Sequence, residues 1–217
     1  MSRHNRELVE FFVSYKLSQR NYPTSLLRSE DAGGRTDGDE ANSAASNGML
    51  VRSGRADASR PQHGELEAVK SALQDSADEF ELLFTQAFSD LSMQLDITPD
   101  TAYRSFKSVM DEVFKDGVNW GRIVGLFAFG GVLCVECVEK DMSELVSRIA
   151  DWMTTYLDEN ISPWVESQGG WACFAEIFGR DAAAEARRSR ETLKRWLLVG
   201  VALLTGVLVG VFIVKKR

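Results

Sequence analysis

Apolar residues recur at helical spacing in successive stretches of this chain, and the two-residue alternation of a half-buried strand is absent throughout. Between Arg6 and Gln19, Leu8, Val9, Phe11, Phe12, Val13 and Tyr15 fall among charged residues in the pattern of an amphipathic helix. From Tyr22 to Gly64 that periodicity is lost: glycine, serine, alanine and aspartate dominate, with isolated apolar residues such as Leu26, Leu27 and Leu50. Such a stretch buries too little apolar surface to offset its ordering entropy, which predicts a disordered loop. Leu66, Val69, Leu73, Ala77, Phe80, Phe84, Phe88 and Leu91 then recur every three or four residues, predicting a helix over at least Glu65 to Leu83. Thr98 and Pro99 suit the cap and first position of a helix to about Lys115, Gly117 suits its end, and Asn119 can cap the next.

The segment from Trp120 to about Lys140 is the most apolar of the body, but its charge-free run, Ile123 to Val135, has only thirteen residues. At that length burial in a core is expected rather than a membrane span. A further amphipathic helix from Asp141 to about Glu159 carries Leu145, Ile149, Trp152, Met153 and Tyr156 on one side. The two predict a central hydrophobic hairpin around which the other helices pack. Pro163 to Phe178 reads as short helical pieces interrupted at Gly169-Gly170, and Ala182 to Arg195 as a polar connector.

Trp196 to Val214, which opens Trp196-Leu197-Leu198, is nineteen residues without a charge. At 1.5 Å rise per residue it spans about 28 Å, close to the roughly 30 Å of a hydrocarbon core. Lys194 and Arg195 precede it and Lys215, Lys216 and Arg217 follow, with Trp196 where an interfacial aromatic belongs. A buried core helix is the alternative, which an all-round apolar face disfavours. The expectation is a membrane anchor at the C-terminus with the body in the cytosol, since the N-terminus has no signal-peptide core. Gly206 and Gly210 form a GxxxG pair that could pack two anchors together, leaving a homodimer open. The predicted fold class is thus all-α, a helical bundle around a central apolar hairpin, with a long disordered loop after helix one and a transmembrane tail anchor. The expected divisions are 1–21 (N-terminal helix), 22–64 (loop), 65–180 (bundle), 181–195 (connector) and 196–214 (anchor).

The chain has 217 residues and a net charge of -7, and before residue 196 its 32 acidic residues face 22 basic ones. Such a body is a poor match for phosphate backbones, so no nucleic-acid partner is expected. The only histidines are His4 and His63, neither in an apolar context, which argues against a nucleophile–histidine device. Three cysteines without a signal peptide indicate a reducing compartment. Cys134 and Cys137 form a CxxC inside the apolar helix, but structural zinc normally takes four ligands, so two small buried residues are the simpler reading. No phosphate-binding loop is present. No catalytic residue, metal or cofactor is assigned. Gly121 and Gly125, one turn apart, suit a surface that another backbone approaches closely, or ordinary helix packing.

Four ordered segments resemble the homology motifs of the Bcl-2 family of apoptosis regulators. FKDGVNWGRIV, residues 114–124, is similar to the first motif; WVESQGGWACFAEIF, residues 164–178, to the second; VKSALQDSADEF, residues 69–80, to the third; and NRELVEFFVSYKLSQ, residues 5–19, to the fourth. With the loop and the anchor, the resemblance covers essentially the whole chain.

The resemblance implies a surface groove that receives an amphipathic death-motif helix from pro-apoptotic relatives, both Bax- and Bak-like proteins and BH3-only proteins. Matched to its apolar positions are Phe80, Phe84, Phe88, Leu91, Val109, Val113, Val124 and Phe129, with Glu112, Gly125 and Phe178 beside them. Phe178 stands where a tyrosine is common. Arg122 matches the position that pairs with the partner's aspartate, and Asn119 and Gly121 lie next to it. The implied role is anti-apoptotic, at the mitochondrial outer membrane through the anchor, with the cytosol and endoplasmic reticulum as further locations. A pro-apoptotic, pore-forming relative shares the fold. A tail-anchored tether would need an extended heptad helix running into the membrane, which Pro163, Gly169, Gly170 and Gly179 interrupt.

Overall fold

The computed structural model of the protein describes residues 2–27, 60–94 and 97–179, with side chains over 3–27, 64–83 and 97–179. In chain order these hold α1 (Ser2–Gln19), a 3-10 turn (Thr24–Leu27), α2 (Arg60–Gln94), α3 (Ala102–Val113), α4 (Trp120–Glu139), α5 (Leu145–Tyr156), a π turn (Leu157–Ile161), α6 (Ser162–Ser167) and α7 (Gly170–Phe178). No strand occurs among the described residues, and the fold is a helical bundle with the apolar α4 at its centre.

Helix α4 is long and apolar enough to cross a membrane by length and composition, yet it is buried inside the bundle. Helices α1, α2 and α5 all pack closely against it. Ile123, Val124, Leu126, Phe127 and Ala128 are wholly buried, so its apolar character is spent on neighbours on every side. Gly131 sets how near α1 can come: a Cβ there would stand 2.8 Å from the Lys16 Cγ and 3.0 Å from the Phe12 ring. The ring of Phe12 also meets that of Phe127 edge-on at 5.5 Å.

The buried stripe of α1 contains Leu8, Val9, Phe12, Val13 and Leu17, and in phase with them Asn5 and Lys16. Both polar residues are satisfied. The Asn5 Nδ2 donates to Asp158 Oδ1 at 2.6 Å and to Ser162 Oγ at 2.8 Å, and Asn5 Oδ1 accepts from the Trp171 indole at 2.9 Å. Lys16 pairs with Glu81 of α2 at 2.8 Å and donates to Gln19. The Tyr15 hydroxyl donates to Asp78, and Arg6 pairs with Glu10 and with Asp151 of α5. α1 is therefore clamped to α2 at one end and to α5, α6 and α7 at the other.

Helix ends follow local chemistry. Asn21 (φ +59°) and Asp141 (φ +58°) close α1 and α4 in the left-handed region, where asparagine and aspartate are the most tolerant side-chain-bearing residues. Each makes the paired bonds of a Schellman ending: Tyr22 N–H to Leu17 O at 3.0 Å after α1, and Met142 N–H to Cys137 O at 2.7 Å after α4.

Three sequence expectations shift. The predicted loop from Tyr22 to Gly64 is helical at both described ends, at Thr24–Leu27 and from Arg60; Tyr22, Leu26 and Leu27 are not isolated but pack against the core. The helix expected from Thr98 is regular only from Ala102. The Thr98 and Thr101 hydroxyls cap each other's backbone N–H groups, at 3.3 and 2.9 Å, around a single turn at Pro99. The helix expected over Asp141–Glu159 begins at Leu145, because Asp141 is in the closing turn of α4, and it passes at Leu157 into the π turn. The loop between Leu27 and Arg60, the connector and the anchor lie outside the described residues.

Candidate partner-helix groove

Asn119 starts α4 by accepting from the Arg122 backbone N–H through its Oδ1 at 2.9 Å, which satisfies one of the helix's free first-turn donors. This sets Arg122 in the first turn of α4, against the link from α3. Its side chain is 6 % exposed. One terminal nitrogen donates to the carbonyl of Gly117, which turns at φ +99°, and the other lies 3.8 Å from a carboxylate oxygen of Asp116. The Nε has no hydrogen-bond partner among the described residues. A guanidinium carries five N–H donors, and leaving buried donors unmatched is costly. This one is poised for a further acceptor, and a carboxylate fits its fork best.

Apolar side chains extend from there between α3 and α4. Val109 and Val113 on α3 and Val124 and Phe129 on α4 are buried. Phe106 of α3 stacks on Phe129 with ring centroids 6.2 Å apart and planes at 23°. Of the helices around α4, α3 stands off further than α1, α2 or α5, reaching it through long side chains rather than close backbone contact.

The remaining positions implied by the resemblance are distributed as follows. Phe80 is in the core, and a Cβ on Gly125 would stand 3.3 Å from its ring, so these two meet within the α2–α4 contact. Gly121 is buried beside Arg122. Glu112 is half-buried on α3 and pairs with Lys115. Phe178 is half-buried at the end of α7, its ring 4.8 Å from that of Phe174, which in turn meets Trp120 at 5.3 Å. The structure thus buries Val109 and Val113 on α3 and Val124, Phe129 and Arg122 on α4, joins the two helices through the Phe106–Phe129 rings, and links Phe178 to the α4 start through two rings. Phe84, Phe88 and Leu91 lie on α2, but their side chains are outside those described. Trp196, Leu197, Leu198, Gly206, Gly210 and Val214 of the expected anchor also lie outside the described residues.

Asp116 and the Gly117 carbonyl, the groups that hold Arg122, stand inside the same motif as Arg122, and the turn at Gly117 brings them to its guanidinium. On its outer face α3 borders an open depression of about 490 Å³ lined by Tyr103, Arg104, Lys107, Ser108, Asp111 and Glu112. Within it Lys107 pairs with Asp111 at 2.6 Å, and Glu112 pairs with Lys115. The CxxC offers no nucleophile: Cys134 and Cys137 are buried free thiols, and burial pushes Cys134 well up and Cys137 up to about 12.

Comparison with known proteins agrees with the four-motif resemblance. The pattern of "Apoptosis regulator proteins, Bcl-2 family" matches residues 73–171, and that of "Bcl-2 homology region 4" matches residues 1–25. The chain is 46% identical over 236 aligned residues to Bcl-2-like protein 1 of Homo sapiens, covering all of both chains. It is 40% identical to apoptosis regulator R11 of Xenopus laevis, again over all of both, and 34% identical to apoptosis regulator Bcl-2 of Cricetulus griseus over 95% of each. Full-length likeness at these identities, on an all-helical bundle with a central apolar helix, means that the chain belongs to the Bcl-2 family of apoptosis regulators.

Proposed function

We propose that this protein is a survival member of its family that captures the amphipathic death-motif helix of pro-apoptotic relatives, Bax- and Bak-like and BH3-only proteins, and so prevents permeabilisation of the mitochondrial outer membrane. The observation that carries this reading is the Arg122 guanidinium, buried at the head of α4 with an unmatched Nε beside an apolar seam. An incoming helix would place its aspartate on Arg122 and its apolar residues, spaced three and four apart, along α3 and α4. Because Val109, Val113 and Phe129 are covered in the unbound protein, entry requires α3 to move away from α4. In moving, α3 would give up the stacking of Phe106 on Phe129 and the ring contacts of Tyr103 and Phe106 with Trp152 and Tyr156 of α5. The tail anchor would hold the body at the membrane where its partners act, and the GxxxG pair could join two anchors.

Magnitudes support a two-part grip. Four buried apolar anchors at about 1.5–3 kcal/mol each give about 6–12 kcal/mol gross. Against this stand association costs of about 4 kcal/mol or more and about 2–5 kcal/mol for folding a disordered partner. A nanomolar complex needs about 12 kcal/mol net, so apolar burial alone leaves binding weak and the ion pair at Arg122 must contribute.

The test is binding of the full-length protein, reconstituted in lipid nanodiscs, to a fluorescent death-motif peptide, with Arg122→Ala and an aspartate-to-alanine peptide as paired controls. Tight binding that each change weakens, without the two losses adding, supports the reading. A folded protein that binds neither peptide, or both alike, refutes it. A companion liposome assay should show the protein suppressing dye release by a pore-forming relative; release by this protein itself would assign the opposite role.

A further inference from the structure

Arg122 already faces a carboxylate of its own chain. Asp116 lies in the link between α3 and α4, 57 % exposed, with an oxygen 3.8 Å from a guanidinium nitrogen, which is close enough for attraction but too long for a hydrogen bond. The turn at Gly117 presents that residue's carbonyl to the same guanidinium. Arg122 is thus held from one side by a carbonyl and an offset carboxylate, while its Nε stays unmatched.

We infer that Asp116 is a built-in competitor for Arg122, an affinity-setting residue that the partner's aspartate must displace. The inference rests on the proposed groove and concerns how tightly it grips. Two carboxylates on one guanidinium repel each other, so the incoming one gains its full bond only when Asp116 swings into solvent. Asp116 is exposed and free to do so, and its pair with Arg122 is weakened by water, so it sets a modest threshold rather than a block. Asp116 stands three residues beyond the end of α3, in the same link as the Gly117 carbonyl that holds Arg122.

The experiment compares full-length parent and Asp116→Asn in nanodiscs, titrated with the death-motif peptide and its aspartate-to-alanine form by fluorescence anisotropy. Asparagine keeps the shape and the turn while removing the charge, and circular dichroism verifies that the variant is folded. The expected result is an affinity about two- to fivefold higher for the aspartate peptide, no change for the alanine peptide, and no effect of Asp116→Asn when Arg122→Ala is also present. The gain should shrink as salt is raised. Equal or weaker binding of the aspartate peptide to Asp116→Asn overturns the inference, as does an equal gain with both peptides. If the parent binds neither peptide, or does not distinguish them, the groove reading itself fails and takes this inference with it, an outcome separate from a groove that binds but ignores Asp116.

Discussion

The indole N–H of Trp171 donates to the side-chain oxygen of Asn5 at 2.9 Å, tying two residues 166 positions apart in the sequence. Asn5 is 1 % exposed and spends both ends of its amide on α7, α6 and the π turn. Asn5→Ala leaves the buried Trp171 N–H without its acceptor and removes the donor to Asp158 and Ser162, and should cost about 1–3 kcal/mol of unfolding free energy. Trp171→Phe removes one bond from the same network. The double variant should lose less than the sum of the singles, by about 1 kcal/mol in urea unfolding. Strict additivity would mean that the bonds act independently.

Gly131→Ala should destabilise the fold although alanine is the better helix former. The new methyl meets the Phe12 ring and the Lys16 stem, both fixed in the core, and overpacking of this kind costs about 1–3 kcal/mol, against roughly 1 kcal/mol gained in helix propensity. Gly130→Ala drives its methyl into the Met153 thioether, so it should cost less in a Met153→Ala background than in the parent. Thermal unfolding of the single variants and of Gly130→Ala with Met153→Ala checks both.

Glu81 gives a pH dependence with a definite sign. Burial pushes its carboxyl up from the ordinary 4.5 by more than the bond from Lys16 pulls it down. The folded state therefore keeps this proton longer than the unfolded chain. Its contribution is most favourable below the ordinary value and declines as pH rises from there through the raised folded value. Compared with Glu81→Gln, the parent should lose relative stability as pH rises from the ordinary 4.5 through the raised folded value in matched urea titrations. A relative gain for the parent over that range would contradict this account.

The cysteines should separate by reactivity. Cys134 and Cys137 are buried with raised thiol values, whereas Cys173 on α7 is partly exposed. A thiol reagent at mildly alkaline pH should modify Cys173 in the native protein and reach the other two only on unfolding. Fast native labelling of Cys137 would show that the end of α4 opens on its own.

The sequence made the helices legible wherever an apolar stripe ran alone, and it made α4 legible as core from a charge-free run of only thirteen residues, although the whole helix is long and apolar enough to span. What it hid were polar residues in phase with such a stripe. Asn5 and Lys16 sit at the same spacing as Leu8, Phe12 and Val13, yet their burial depends on Trp171 and Glu81, which only the packed fold supplies. The start of α3 was displaced for a similar reason, since Thr98 does cap a backbone N–H but Pro99 heads a lone turn. At the candidate groove, Arg122 and Asn119 were legible from one motif. The competitor Asp116 was not, because the meeting of two neighbours in a link depends on the turn at Gly117.

The π turn has a consequence for how this helix tolerates insertions and deletions. Met153, Leu157, Ile161 and Val165 are all buried, each four residues from the last. In an ideal α-helix a step of four overshoots a full turn by about 40°, so three steps would carry Val165 about 120° away from the line of Met153. The wider ladder of Leu157–Ile161 takes up that excess and keeps the stripe in phase. One residue there is therefore surplus to the helical repeat. Deleting Asn160 should return the segment to the ordinary helical repeat with the same apolar line and a kink kept at Pro163, whereas deleting a residue within α5 would rotate everything beyond it, Asp158 and Ser162 included, by about 100° away from Asn5.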